Sequence, residues 1–175
     1  LYALFHHNRI YGKIDIKLSD NNNGSSSDAT NTIVICDNTF KTIDIRGESM
    51  VDSVLKSTTV IIENNNYDGF VYNYSINNVN KVILSGNVIA SGQCLSGNNF
   101  VIVTGNIIGY LSLYGTNGAT ICNNIFYSRN TSFYGIAIGT TAKNCLIANN
   151  ILYSDNYISD SGTGTVLANN VVRGE

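Results

Sequence analysis

The sequence predicts an all-β solenoid of about eight coils, in which one chain winds into stacked rungs of parallel strand. Three observations carry this. A short pattern recurs eight times along the 175 residues. Its apolar positions alternate with period two, the signature of a strand. Every copy also turns at an Asn preceded, in seven copies of eight, by Asn, Asp or Gly, the residues that tolerate left-handed backbone.

The pattern is apolar, any, apolar, any, turn residue, Asn, any, apolar. Its key residues are Asn8, Asn38, Asn65, Asn87, Asn106, Asn124, Asn150 and Asn170. Three places before them stand Phe5, Ile35, Ile62, Leu84, Val103, Ile121, Ile147 and Leu167. Two places after stand Ile10, Phe40, Tyr67, Ile89, Ile108, Phe126, Leu152 and Val172. Five places before, Ala3, Ile33, Val60, Val82, Val101, Ala119, Cys145 and Thr165 complete the alternation. Asn that merely marked surface turns would fix none of these apolar neighbours. The key residues are spaced by 30, 27, 22, 19, 18, 26 and 20. A constant core with variable inserts fits coils joined by loops of unequal length.

The turn explains the Asn. A left-handed residue followed by Asn bends one strand into the next within two residues. When coils stack about 4.8 Å apart, the Asn amide, with two donors and an acceptor, can bond its equivalent in the next coil. Such an Asn ladder satisfies polar groups at a bend where the strand ladder would leave them unpaired. Eight coils would stand roughly 38 Å tall at that spacing.

Each coil then needs a strand before the Asn, a second starting after it, and a third from the next apolar stretch. Ile14/Ile16, Ile43/Ile45, Phe70/Tyr72, Leu111/Leu113, Ile136/Ile138 and Ile158 supply the third. The longest inserts are expected at Ser19–Asn31, Glu48–Thr58, Asn73–Asn80, Ser128–Ser132 and Tyr153–Gly164.

Composition agrees. Hydrophobic residues make up 43% and charged residues 13%, so disorder is excluded. Asn is the commonest polar residue, with 27 copies, and there is no Pro or Trp. A formal charge of −2 gives a nucleic-acid partner no support. No apolar run approaches the roughly 20 residues that span a membrane. The four cysteines, Cys36, Cys94, Cys122 and Cys145, are too sparse for a disulfide framework and lack zinc spacing, so they read as small strand residues. Leu1–Phe5 lacks the basic region and cleavage site of a signal peptide. The chain reads as a single domain, 1–175, cut from a larger protein.

The repeat resembles the right-handed, three-faced parallel β-helix of the pectate-lyase-like superfamily, with its short coils and Asn ladder. The likeness covers nearly the whole chain and is specific for fold, while the superfamily's functions range from lyases and hydrolases to adhesins and phage tailspikes. With the Asn/Ile/Tyr-rich, charge-poor composition, it implies a section of a tailspike or appendage. That section would be extracellular or on the virion surface, homotrimeric, without cofactor, and engaged with cell-surface polysaccharide. The alternatives are a polysaccharide lyase or glycoside hydrolase, and a structural adhesin stalk.

Carboxylates cluster in the first 68 residues and are absent from Gly69 to Ser154, an acid-free stretch suited to subunit packing. The best constellation aligns Lys13-Ile14-Asp15-Ile16-Lys17 with Thr42-Ile43-Asp44-Ile45-Arg46. With the Ile pairs inward, Asp15 and Asp44 point outward about 5 Å apart, a spacing that fits a retaining glycosidase pair, with Lys17 and Arg46 beside them. A solvated strand face with balanced charges is the favoured reading. The superfamily's lyase and polygalacturonase motifs are absent. Tyr127 and Tyr153 are expected to stack, and with Tyr110, Tyr114 and Tyr134 they offer ring faces to a sugar or simply cover the coil. Tyr11 occupies the same place in the first coil. His6-His7 have no chemical partner nearby in sequence, so no metal site is expected.

Overall fold

The computed structural model describes residues 2–18, 31–47, 58–67, 74–127, 134–153 and 158–173. No helix occurs among them. The strands follow one another coil by coil. The first two coils hold β1 (Tyr2–His6), β2 (Arg9–Leu18), β3 (Thr32–Cys36) and β4 (Thr39–Gly47). The third holds β5 (Thr59–Glu63), β6 (Asn66–Tyr67) and β7 (Tyr74–Asn77). The fourth and fifth hold β8 (Lys81–Ser85), β9 (Val88–Ser96), β10 (Phe100–Thr104) and β11 (Ile107–Tyr114). In the sixth are β12 (Asn117–Cys122), β13 (Ile125–Tyr127) and β14 (Ile136–Ile138). The seventh holds β15 (Lys143–Ala148), β16 (Ile151–Tyr153) and β17 (Ile158–Asp160), and the last β18 (Val166–Ala168) and β19 (Val171–Arg173).

β1, β3, β5, β8, β10, β12, β15 and β18 form one eight-stranded sheet, parallel throughout. This is the first face, and its rungs stack with the Asn-centred repeat in register. The other strands form a second sheet that bends into two faces. The register between β2 and β4 shifts between Ile10 and Lys13, and that between β11 and β9 shifts between Ile108 and Tyr110. Elsewhere the two faces are supplied by separate short strands, such as β6 and β7. The second face therefore starts just after each key Asn, and the third follows it, as the three-strand coil requires.

β-Branched residues fill the strands because they suit a pleated, half-buried surface. Burial alternates along β3, β5 and β8 in step with the repeat. Ile35, Ile62, Leu84, Val103, Ile121 and Ile147 from the first face meet Phe40, Tyr67, Ile89, Ile108, Phe126 and Leu152 from the second inside the coil. The Phe40 and Tyr67 rings meet edge to face at 4.4 Å. Each such side chain contributes roughly 1.5–3 kcal/mol by leaving water. Cys145 is buried, the other three cysteines are half-buried, and all four are free.

The third face departs from expectation in one coil. Phe70 and Tyr72 lie outside the described residues. Ile76 of β7 pairs with Ile45 and Leu95 and fills the core there. The stretch Asn73–Asn80, expected as a loop, thus contains a strand, and Tyr153–Gly164 contains β17. Both strands are short and polar on one side, so they resemble loops in sequence; β7 pairs with the longer β4 and β9, and β17 with the equally short β14. Most of the other expected inserts lies outside the described residues.

Candidate functional site

The corner between the first two faces is the most regular feature of the molecule. The residue before each key Asn has positive φ in all eight coils: His7, Asp37, Asn64, Gly86, Gly105, Asn123, Asn149 and Asn169, between 51° and 66°. Each key Asn then bonds to the next. The Oδ1 of Asn106, for example, accepts from the backbone N–H of Asn87 at 2.8 Å and from its Nδ2 at 2.9 Å. The same double link runs from Asn8 through Asn38, Asn65, Asn87, Asn106, Asn124 and Asn150 to Asn170. Nδ2 also donates to the preceding coil, as from Asn106 to Leu84 O at 3.0 Å. The six inner members, Asn38 to Asn150, are at most 2% exposed. These Asn residues are structural: they satisfy the bend and pin the rungs.

A second corner, between the third face and the first, escaped the sequence reading. Thr58, Val79, Asn98, Thr116 and Ala142 occupy it, all buried. Asn98 accepts from Val79 N–H at 3.1 Å and donates to Ile76 O at 2.9 Å. Apolar and polar residues are mixed here, so no single residue type announces the corner.

The carboxylate pair is in register: Ile14 pairs with Ile43, Asp15 with Asp44 and Lys17 with Arg46. Asp44 is not the solvated carboxylate that the alternation suggests, because it is only 2% exposed. The Lys13 ammonium lies over it at 2.9 Å and also holds Asp15 at 3.0 Å. Arg46 also forms an ion pair with Asp44, its Nε donating to Oδ1 at 2.8 Å. Hydrogen bonding to Asp44, then Asp15, raises the Lys13 pKa, and hydrogen bonding to Asp44 raises that of Arg46. The side chain of Lys17 lies outside the description. The cluster acts as a lid of two cations on one buried anion.

Tyr127 and Tyr153 sit in paired rungs, edge to face with centroids 6.3 Å apart. Arg173, next in that column, lies over the Tyr153 ring at 5.8 Å and donates to its hydroxyl at 3.3 Å. Beside this column the outward positions Val88, Ile107, Ile125 and Val171 are exposed. Tyr110 and Tyr114 do not join it. They stand on the third face, where each ring lies over a glycine: a Cβ on Gly92 would meet Tyr110 at 2.1 Å, and one on Gly139 would meet Tyr114 at 2.4 Å. Tyr134 is exposed, and Tyr11 packs against Arg9.

His6 does have a partner, supplied by the next coil. β1 and β3 pair His6 with Cys36, and His6 Nε2 lies 3.3 Å from Asp37 Oδ2. The signal was in the repeat: aligning its copies places His6-His7 beside Cys36-Asp37. Burial, then the neighbouring Asp37 and Glu63 carboxylates, push the Cys36 thiol pKa up. Comparison with known proteins adds no relative: no family model matches the sequence, nor does any curated protein or solved structure.

Proposed function

We propose that this domain is a non-catalytic β-helix section of a surface appendage of the phage-tailspike type, and that its exterior binds an extended cell-surface polysaccharide. The observation that supports binding is the outward column Tyr127–Tyr153–Arg173 with its aliphatic border. Aromatic faces pack against the apolar faces of sugar rings, and a guanidinium donates to their hydroxyls. A column repeating at the rung spacing suits a polymer better than a single sugar. What speaks against cleavage is access. A general acid must reach the glycosidic oxygen, whereas Asp44 is 2% exposed beneath Lys13 and Arg46. The test is affinity electrophoresis on capsular and wall glycans. Retention should fall about tenfold in Tyr153→Ala, the scale of a loss exceeding 1 kcal/mol at an interface anchor, and stay unchanged in Asp44→Asn. Release of reducing ends that disappears in Asp44→Asn would overturn the proposal in favour of a hydrolase or lyase.

A second feature favours assembly as a homotrimer. The outward positions of the first face form an aliphatic column, Leu4, Val34, Ile61, Ile83, Ile102, Leu146 and Val166, interrupted only by Thr120. Phe100, beside it, is 60% exposed and borders an open groove of about 450 Å³ with Lys81, Ile102, Gly118 and Thr120. Parallel sheets are normally covered on both faces, and copies around a threefold axis would cover this one. Sedimentation equilibrium should give a trimer that Ile83→Lys dissociates. A wild-type monomer would rule out this assembly.

A further inference from the structure

From the geometry at the first Asn corner, we infer a zinc site formed by His6, Cys36 and Asp37, which ties the first coil to the second. The three candidate ligand atoms all lie within 4.8 Å of one another. His6 comes from the end of β1, Cys36 from the end of β3, and Asp37 from the left-handed bend that follows. Parallel pairing of β1 with β3 puts His6 opposite Cys36, so the strand ladder itself holds the imidazole and thiol on one side of the sheet.

The distances fit an ion better than they fit an ion pair. A charge-assisted N–H···O bond is about 2.7–2.9 Å long. His6 Nε2 and Asp37 Oδ2 stand 3.3 Å apart. Ligands at about 2.0–2.3 Å from a tetrahedral zinc lie roughly 3.3–3.6 Å from one another. The imidazole and carboxylate are thus already spaced as two corners of that tetrahedron, and a side-chain adjustment brings in the thiol.

The donor set selects the metal. A thiolate, an imidazole and one carboxylate suit zinc and disfavour magnesium or calcium, which take oxygen ligands. Three protein ligands leave the fourth position to water. His6 and Asp37 side chains are 45% and 37% exposed, so an ion can enter.

His7 supplies an outer contact. Its Nδ1 lies 2.6 Å from His6 Nδ1, the ring atom that would face away from the metal. With His6 bound through Nε2, its Nδ1–H donates to His7 and fixes the ring, the usual outer-shell role at a zinc-bound histidine. Glu63, paired with Cys36 across β3 and β5, adds negative charge beside the site.

The test is titration of the reduced, metal-free protein with zinc, and with cobalt for its thiolate charge-transfer absorption. We expect one equivalent bound tightly enough to raise Tm at micromolar metal. Cys36→Ser should abolish the cobalt band and the Tm shift, although Cys94, Cys122 and Cys145 remain. His6→Ala and Asp37→Asn should each weaken binding, and Asn, found at this bend in other coils, keeps the turn. His7→Asn should leave the metal-free Tm unchanged yet cut zinc affinity 10–100-fold. Zinc binding that persists in Cys36→Ser, or no binding by the wild type below millimolar zinc, overturns the assignment.

Discussion

Replacing Asn106 by Ala tests the ladder directly. The change removes bonds from Nδ2 to Thr104 O, Leu84 O and Asn124 Oδ1, and takes the Oδ1 acceptor from Asn87 N and Nδ2. Some partners are rescued. Thr104 O still accepts from Gly86 N, Asn87 Nδ2 still donates to Ile62 O, and Asn124 Oδ1 still accepts from Asn106 N. The Asn87 N–H, on a residue 1% exposed, loses its acceptor, and Leu84 O loses its side-chain donor. A buried polar group left without its partner costs about 1–3 kcal/mol, so two such groups cost roughly 2–6 kcal/mol. That is a large share of the 5–15 kcal/mol typical of a domain. Asn8→Ala is the control. Asn8 is exposed and its side chain donates to His6 O and Asn38 Oδ1, where water can substitute. Its loss should cost about 0.5 kcal/mol, as surface changes do. Urea unfolding followed by circular dichroism gives both values, and hydrogen exchange at the Asn87 amide localises the effect. Equal costs for the two variants, or an Asn87 amide as protected in Asn106→Ala as in the wild type, would refute the argument.

The bends make a paired prediction. Gly86→Ala forces a left-handed alanine and brings its Cβ to 2.4 Å from Asn64 Oδ1, so it should cost about 1–2 kcal/mol. Gly105→Asn has open space, with Gly86 N as the nearest atom at 3.9 Å, and should be neutral within about 1 kcal/mol in the same assay. The ion cluster predicts a pH dependence. Because the folded Lys13 pKa is raised above 10.5, its contribution is fully present below that value and lost as pH rises through the folded pKa. The difference in urea midpoint between wild type and Lys13→Met should therefore shrink above pH 10.5, and a constant difference would deny the coupling.

The Asn corner was legible because it is local. Two adjacent residues set both the backbone sign and the ladder, so the pattern survives any insert elsewhere. The second corner was not legible, since Thr58, Val79, Asn98, Thr116 and Ala142 share burial but not chemistry. The third-face rung of the third coil was ambiguous for another reason. Phe70, Tyr72, Tyr74 and Ile76 all fall on the same alternation, so period two alone cannot choose the segment, and pairing with Ile45 decides it. The Asp15–Asp44 register was readable, but the burial of Asp44 was not. That burial depends on Lys13 and Arg46 folding over it, which is a matter of side-chain direction.

The amide column has a direction. From Asn8 to Asn170 the N–H in every Asn-to-Asn link points onward and every side-chain carbonyl oxygen points back. Aligned bond dipoles of this kind polarise one another and add as those of a helix backbone do. The column thus runs from a relatively negative side at Asn8 to a relatively positive one at Asn170. The two sides of every rung are chemically unlike, so a further rung continues the column only head to tail.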